Sequence, residues 1–279
     1  MTVAIIGTGL IGGSMALTLK EQGFAGHVIG VDANIQHQQK ALELGIIDEI
    51  GTLEEAVLRS ELIILAIPVH AAQLLLPRIM DKVSSQVVMD VSSTKEQIIK
   101  TLAGHPKRGR FVATHPMWGT ENSGPEAAVK GDFKDKVTII SDKEHSDPDA
   151  LELVESVYRN LGMKLIYMEP AAHDLHAAYV SHISHITSFA LANTVLEKER
   201  EEDTIFAMAS AGFESTVRLA KSNPEMWVSI FMQNRENILD VLNEHITQLR
   251  KFKSCLEKEN EPYLTELIGN ANKIRKILK

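Results

Sequence analysis

Gly7, Gly9 and Gly12 stand in the pattern G-x-G-x-x-G within the run GTGLIGG, and Asp32 follows about twenty residues after the last of them. Each position has a task in holding a dinucleotide. Gly7 permits a tight turn, Gly9 lets the backbone approach a pyrophosphate, and Gly12 lets helix and strand pack closely. The free N–H groups and the dipole at the start of the next helix favour phosphate charge. Asp32 is placed to accept hydrogen bonds from ribose hydroxyls and to repel a 2′-phosphate. Ala33, Asn34, Ile35 and Gln36 supply no Arg or Lys to hold such a phosphate, so NAD is expected over NADP, with His37 and Lys40 the nearest basic groups. A nicotinamide enzyme that oxidises an alcohol also needs a base for the hydroxyl proton and groups that fix the substrate. His115 is the candidate base, because an imidazole titrates near neutrality and Pro116 fixes the chain beside it. Ser93, at a neighbouring strand end, is a candidate to orient it. The plainer alternative is that His115 only satisfies loop backbone.

The elements that must position these groups are short apolar runs. VAIIG (3–7) precedes the glycine turn, SMALTLKEQG follows it as a helix, and HVIGVD ends in Asp32. Further runs occupy 61–68, 86–91, 110–116, 136–141 and 163–168, with amphipathic stretches between several of them. This alternation predicts an α/β fold, a Rossmann-type doubly wound and mostly parallel sheet covered on both faces. Ligands of such sheets bind at the carboxyl ends of the strands. Ile67-Pro68-Val69, Asp90-Val91-Ser92-Ser93 and Thr114-His115-Pro116 are therefore the ends to watch. The cofactor-binding set is Gly7, Gly9, Leu10, Ile11, Gly12, Asp32, Ile67 and Pro68.

Local signals place several helix ends. Asn34 caps a helix running to Gly45, Thr52 with Glu55 forms a capping box, and Asp147-Pro148 starts a helix that stops near Gly162. After Met168 the strand signal ends and the pattern is helical, with long stretches near 170–198, 224–258 and 262–278, the second of them opened by Asn223-Pro224-Glu225. The terminal KIRKILK puts positive charge where the helix dipole favours it. Residues 1–167 are expected to form an NAD-binding domain and 168–279 an all-helical C-terminal domain.

Composition narrows the class. At 44% hydrophobic and 24% charged residues the chain reads as an ordinary globular protein. A net charge of −8 argues against nucleic-acid binding. The single Cys255 has no intramolecular disulfide partner, the first strand starts at Val3, and no apolar run is long enough to span a bilayer. A cytoplasmic protein without membrane contact is expected.

Three more places carry reactive residues. HDLHAAYVSHISH (173–185) sets Ser181 and His185 four apart on one helix face, with His182 three before His185. No cysteine or clear extra ligand completes a metal site there, so no metal is expected; His176 reads as exposed or packed. Arg218, in GFESTVRLAKSNPEMW, reads as a solvated helix residue on its own, and Trp227 as core.

Taken together, GTGLIGGS, Asp32, DVSSTK (90–95), HPMWGTENSG (115–124), HDLHAAYVSHISH and GFESTVRLAKSNPEMW (212–227) resemble the prephenate dehydrogenase family, in order over nearly the whole chain. HPMWGTE and SHISH carry the specificity, since many dehydrogenases share the glycine fingerprint. The resemblance implies a Rossmann-type domain followed by a helical domain that makes a homodimer. It implies NAD-dependent oxidative decarboxylation of prephenate to 4-hydroxyphenylpyruvate, in tyrosine biosynthesis. By motif, His115 resembles the catalytic histidine on the ring hydroxyl, and Ser93 the serine that positions both. Arg218 resembles the arginine on a substrate carboxylate, and His185 and Ser181 residues lining the pocket. Glu121 resembles an acid that gates the site, and Trp227 a tryptophan near it. DVSSTK departs from the family in lacking a glycine before the serine, so Ser92 and Ser93 both stand as the residue facing the site. Trp118 replaces a commonly small residue and is expected to reshape the pocket.

Three other functions fit parts of the pattern. Arogenate dehydrogenase shares the motifs, and His185 argues for prephenate. A β-hydroxyacid dehydrogenase shares the layout but usually carries a lysine on its first C-terminal helices, where residues 170–197 have none. An NAD-sensing protein without turnover would leave His115, Ser93 and Arg218 without a joint purpose.

Overall fold

Most of the short apolar runs fold as strands because both faces of each are covered, whereas the run at 163–168 forms an edge strand with Ile166 and Tyr167 exposed. In the computed structural model, which describes residues 1–200 and 204–277, β1 (Thr2–Ile6), β2 (His27–Val31), β3 (Glu49–Ile50), β4 (Leu62–Leu65), β5 (Val87–Asp90), β6 (Phe111–Pro116), β7 (Val137–Ser141) and β8 (Lys164–Met168) form one sheet. Its order is β3-β2-β1-β4-β5-β6-β7-β8. Every pair is parallel except β6 with β7, where His115 lies opposite Ile139. The two-residue β3, which the apolar pattern does not reveal, extends the sheet beyond β2 through Glu49 and Ile50.

Helices α1 (Leu10–Glu21), α2 (Ile35–Glu43), α3 (Leu53–Arg59), α4 (Val69–Lys82), α5 (Glu96–Lys100) and α6 (Pro148–Asn160) lie between the strands. The pleat sorts β1 between two cores. Val3 and Ile5 join Met15, Leu19, Val154 and Tyr158 on one face. Ala4 and Ile6 join Val57, Leu76, Ile79 and Phe111 on the other. The helix starts are as the local signals imply. Asn34 accepts from Gln36 N, and the Thr52–Glu55 capping box closes in both directions. α6 begins at Pro148 after Asp147.

The chain divides into two units, Met1–Asn234 and Arg235–Lys279. The first also holds α7 (Pro170–Ala177), α8 (Ile183–Glu199), α9 (Ala211–Val217) and α10 (Pro224–Gln233), the last capped by Asn223. The stretch expected as one helix over 170–198 is interrupted by a π turn at Ala178–His182. The stretch expected over 224–258 breaks at Asn234, whose side chain is committed to tertiary hydrogen bonds. The second unit consists of α11 (Arg235–Glu257), α12 (Glu261–Ala271) and a 3₁₀ turn at Asn272–Lys276; the end of KIRKILK, residues 278–279, lies outside the described residues.

Candidate active site

The glycine turn has the geometry that a dinucleotide requires. Gly7 adopts φ +97°, and a Cβ there would lie 2.3 Å from the Ala66 carbonyl oxygen. A Cβ on Gly12 would lie 2.1 Å from the Gly7 carbonyl oxygen, so helix and turn meet at a distance only glycine allows. A Cβ on Gly9 would meet nothing within 4 Å, which leaves open space over the turn. Gly9 is also the N-cap of α1 and brings no side chain to its free N–H groups, so the residues present fit a pyrophosphate. Asp32 is fixed in advance. One carboxylate oxygen accepts from Thr8 N at 2.9 Å and Thr8 Oγ1 at 3.2 Å, and the other from Asn34 N at 2.9 Å, with His37 Nδ1 3.7 Å away. Leu10 and Ile11 open α1 part-buried. At the end of β4, Ile67 Cγ2 abuts Gly7, and Pro68 caps α4.

His115 is the penultimate residue of β6 and only 8% exposed. Its Nδ1 lies 2.8 Å from Nε2 of His173, on α7. Burial above all, then His173, Lys95 and His182, push the His115 imidazole well below its usual pKa. Ser93 does not hydrogen-bond His115; the ring is held by His173. Ser92 is buried with a hydroxyl that has no hydrogen-bond partner among the described residues, while its N–H donates to Asp90 at 3.0 Å.

Beneath these groups lies a fully buried ion pair, Asp90 with Lys95. Lys95 Nζ also donates to the Thr114 carbonyl at 2.6 Å, and Asp90 accepts from Thr114 N at 3.1 Å. The pair therefore ties the loop after β5 to the residue preceding His115. Burial pulls the Lys95 pKa down, and Asp90 offsets part of that. Asp174 joins the same loop from α7. Its carboxylate accepts from Lys95 N at 2.7 Å, Glu96 N at 3.0 Å and His173 Nδ1 at 2.8 Å. Burial raises its pKa, but these donors together outweigh it and hold the group below the usual carboxylate range.

A second group of side chains lies on the helices. His185 stacks on Trp227, with ring centroids 3.4 Å apart, and donates from Nδ1 to the Ser181 carbonyl at 3.1 Å. Burial lowers the His185 pKa, against the effect of that hydrogen bond. Trp227 is 7% exposed and packs with Val69 and Ile230, which joins α4 to α10. Its indole N–H has no hydrogen-bond partner among the described residues. Arg218 is half exposed and donates to Glu121 at 2.6 Å, linking the loop after His115 to the helices. Glu121, Ser123, Lys221, Ser222, Asn223 and Pro224 line a cleft of about 590 Å³ beside that pair. Trp118 does not reshape this region. It turns inward, 4.5 Å from Phe133, and packs on the core. His176 is exposed, and among the described residues no group of three or more His, Cys, Asp or Glu is arranged to hold a metal ion.

Lys95, His173, Asp174 and Asn234 complete the site without having been singled out by type, and His182, noted only as a possible metal ligand, joins them through Asn234. The available signals were the Asp90–Lys95 spacing and the His173-Asp174 pair. Nothing local indicates that these meet His115, because the contacts span 58 and 79 positions.

Comparison with known proteins gives a consistent result. The nucleotide-binding domain of prephenate dehydrogenase matches residues 15–167, and the dimerization domain of prephenate dehydrogenase matches 169–270. A cyclohexadienyl dehydrogenase of Zymomonas mobilis is 30% identical over 283 aligned positions, covering 99% of this chain and 96% of that protein. A prephenate dehydrogenase of Bacillus subtilis is 29% identical, covering 98% of this chain and 75% of that protein. The crystal structure of prephenate dehydrogenase from A. aeolicus, in complex with hydroxyphenyl propionate and NAD+, superposes with a TM-score of 0.91 at 30% identity, covering 100% of this chain and 98% of that one.

Proposed function

The chain belongs to the prephenate dehydrogenase family, and from that membership we propose how its residues divide the work of the reaction. The enzyme is an NAD-dependent oxidoreductase that converts prephenate to 4-hydroxyphenylpyruvate, with loss of CO₂, in tyrosine biosynthesis. NAD, when bound, accepts the hydride from the carbinol carbon. Gly7, Gly9 and Gly12 with Leu10 and Ile11 hold its pyrophosphate at the start of α1, Asp32 takes the adenosine ribose, and Ile67 and Pro68 border the ring end.

His115 takes the proton of the ring hydroxyl as that carbon is oxidised. Loss of the ring carboxylate as CO₂ returns its bonding pair to the ring, and His115 gives the proton back to the phenol oxygen. The proton is borrowed, so the net yield is one hydride and one CO₂. Ser93, at the adjoining strand end, helps to position the hydroxyl. Arg218 offers a bidentate fork to a substrate carboxylate, with Glu121 as its alternative partner and so a gate. His185, Ser181 and Trp227 line the substrate pocket. The observation that carries this reading is the buried imidazole of His115 at the end of β6, in the same sheet whose first strand leads into the glycine turn.

Residues 1–167 serve as the NAD domain and 168–279 as the substrate and dimerisation domain. The enzyme acts in the cytoplasm as a homodimer, the dimer being the part that the dimerization-domain match supports. Among the described residues no helix is long and apolar enough to cross a membrane. A cyclohexadienyl dehydrogenase among its relatives favours some activity with arogenate as a second reading. Steady-state kinetics with each substrate separate the two, and a higher kcat/KM with prephenate is the expected result. Arg218→Ala should raise KM for the substrate about tenfold or more with a smaller change in kcat, since it leaves a carboxylate without its cation. An unchanged KM would remove Arg218 from the carboxylate site.

A further inference from the structure

We propose that His173 and Asp174 are positioning residues that fix the proton-accepting tautomer of His115 and take up its charge when it holds the substrate's proton. The proposal rests on the reading of His115 as the base. Asp174 sets the direction of these hydrogen bonds. Its carboxylate receives three N–H groups, from Lys95, Glu96 and His173, and a carboxyl so surrounded is an acceptor only. Its backbone carbonyl is held as well, by Asn234 Nδ2 at 2.6 Å. His173 Nδ1 must therefore carry a hydrogen, and in the neutral ring Nε2 then presents a lone pair. His115 Nδ1 lies 2.8 Å from that lone pair and must donate. By elimination, Nε2 of His115 carries the free lone pair.

The same line accommodates charge. A proton on His115 Nε2 makes an imidazolium facing the Lys95 ammonium, His173 and His182. Asp90 is committed to Lys95. Asp174, through His173, is the anion left to stabilise that cation. A protonated His173 would reverse the order, forcing His115 to accept at Nδ1 and to carry its hydrogen on Nε2, which disables the base. The hydrogen-bonded order of the two rings thus leaves His115 Nε2 as the atom open to the substrate's proton.

The test uses the full-length protein in four forms: wild type, H173A, H173Q and H115N. Nitrogen NMR of histidine-labelled wild type should show His115 with a protonated Nδ1 and an unprotonated Nε2 at neutral pH; the opposite tautomer overturns the proposal without any variant. In H173A, kcat should fall about 100-fold or more, with KM for prephenate and the NAD dissociation constant from fluorescence titration within about threefold of wild type. In H173Q the amide oxygen can accept from Nδ1, so kcat should recover about tenfold over H173A. A wild-type kcat in H173A, or no recovery in H173Q, overturns the relay. If H115N alone has lost activity in that case, the base reading stands; if H115N is fully active, the base reading falls and the relay with it.

Discussion

Substituting His115 by Asn is expected to lower kcat by about 10²–10⁴-fold, the range for losing a general base. Asn is the informative replacement because its amide nitrogen can sit near the place of Nδ1, where His173 Nε2 lies 2.8 Å from His115 in the native site. The hydrogen bond to α7 then survives while the proton-accepting atom is lost. NAD affinity should not change, since Asp32 and the glycine turn are built from other elements. The pH dependence has a defined sign. Burial, then His173, Lys95 and His182, hold the His115 imidazole well below its ordinary value of about 6.5. The base is therefore unprotonated at pH 7, and kcat/KM should stay level through neutrality and fall only on the acid side below that value, as His115 gains a proton. The residual rate of H115N should lack this acid limb. An acid limb retained in H115N would assign it to another group.

The second large effect is on stability. Asp90→Ala leaves the Lys95 ammonium fully buried with the backbone carbonyl of Thr114 as its remaining hydrogen-bond acceptor. Removing one member of a buried ion pair costs about 3–5 kcal/mol, because the other charge is left uncompensated. Denaturant unfolding should therefore show a loss of that size. Asp90→Ala combined with Lys95→Met should be less destabilised than Asp90→Ala alone, as the stranded charge is gone. Equal losses in the single and double variants would mean that the charge is not what the pair controls.

These effects also mark how far local sequence carries the structure. The glycine turn, Asp32, the Thr52–Glu55 box and the Asn223-Pro224 start were legible because each interaction closes within a few residues or within one βαβ unit. The inner strands β4, β5 and β6 were legible because covering both faces makes each run apolar almost throughout. The two-residue β3 was hidden, being too short for any period. The π turn at Ala178–His182 and the break at Asn234 were hidden because tertiary hydrogen bonds, not propensity, decide them. Within the site, His115 showed through its place at a strand end. Its partner did not, since Ser93 is the nearer candidate along the sheet and His173 arrives from a helix 58 residues later. Trp118 was misread for a related reason. Its size suggested an effect on the pocket, but only the position of Phe133 reveals that it faces the core.

The most direct measurement of the account is the conversion of prephenate by the purified protein with NAD, following NADH, CO₂ and 4-hydroxyphenylpyruvate together in wild type and H115N. The account predicts that the wild type forms all three in equal amounts, and that H115N binds NAD with wild-type affinity but loses the turnover by about 10²-fold or more. Turnover by H115N at the wild-type rate, or no NADH from prephenate in the wild type, would contradict it.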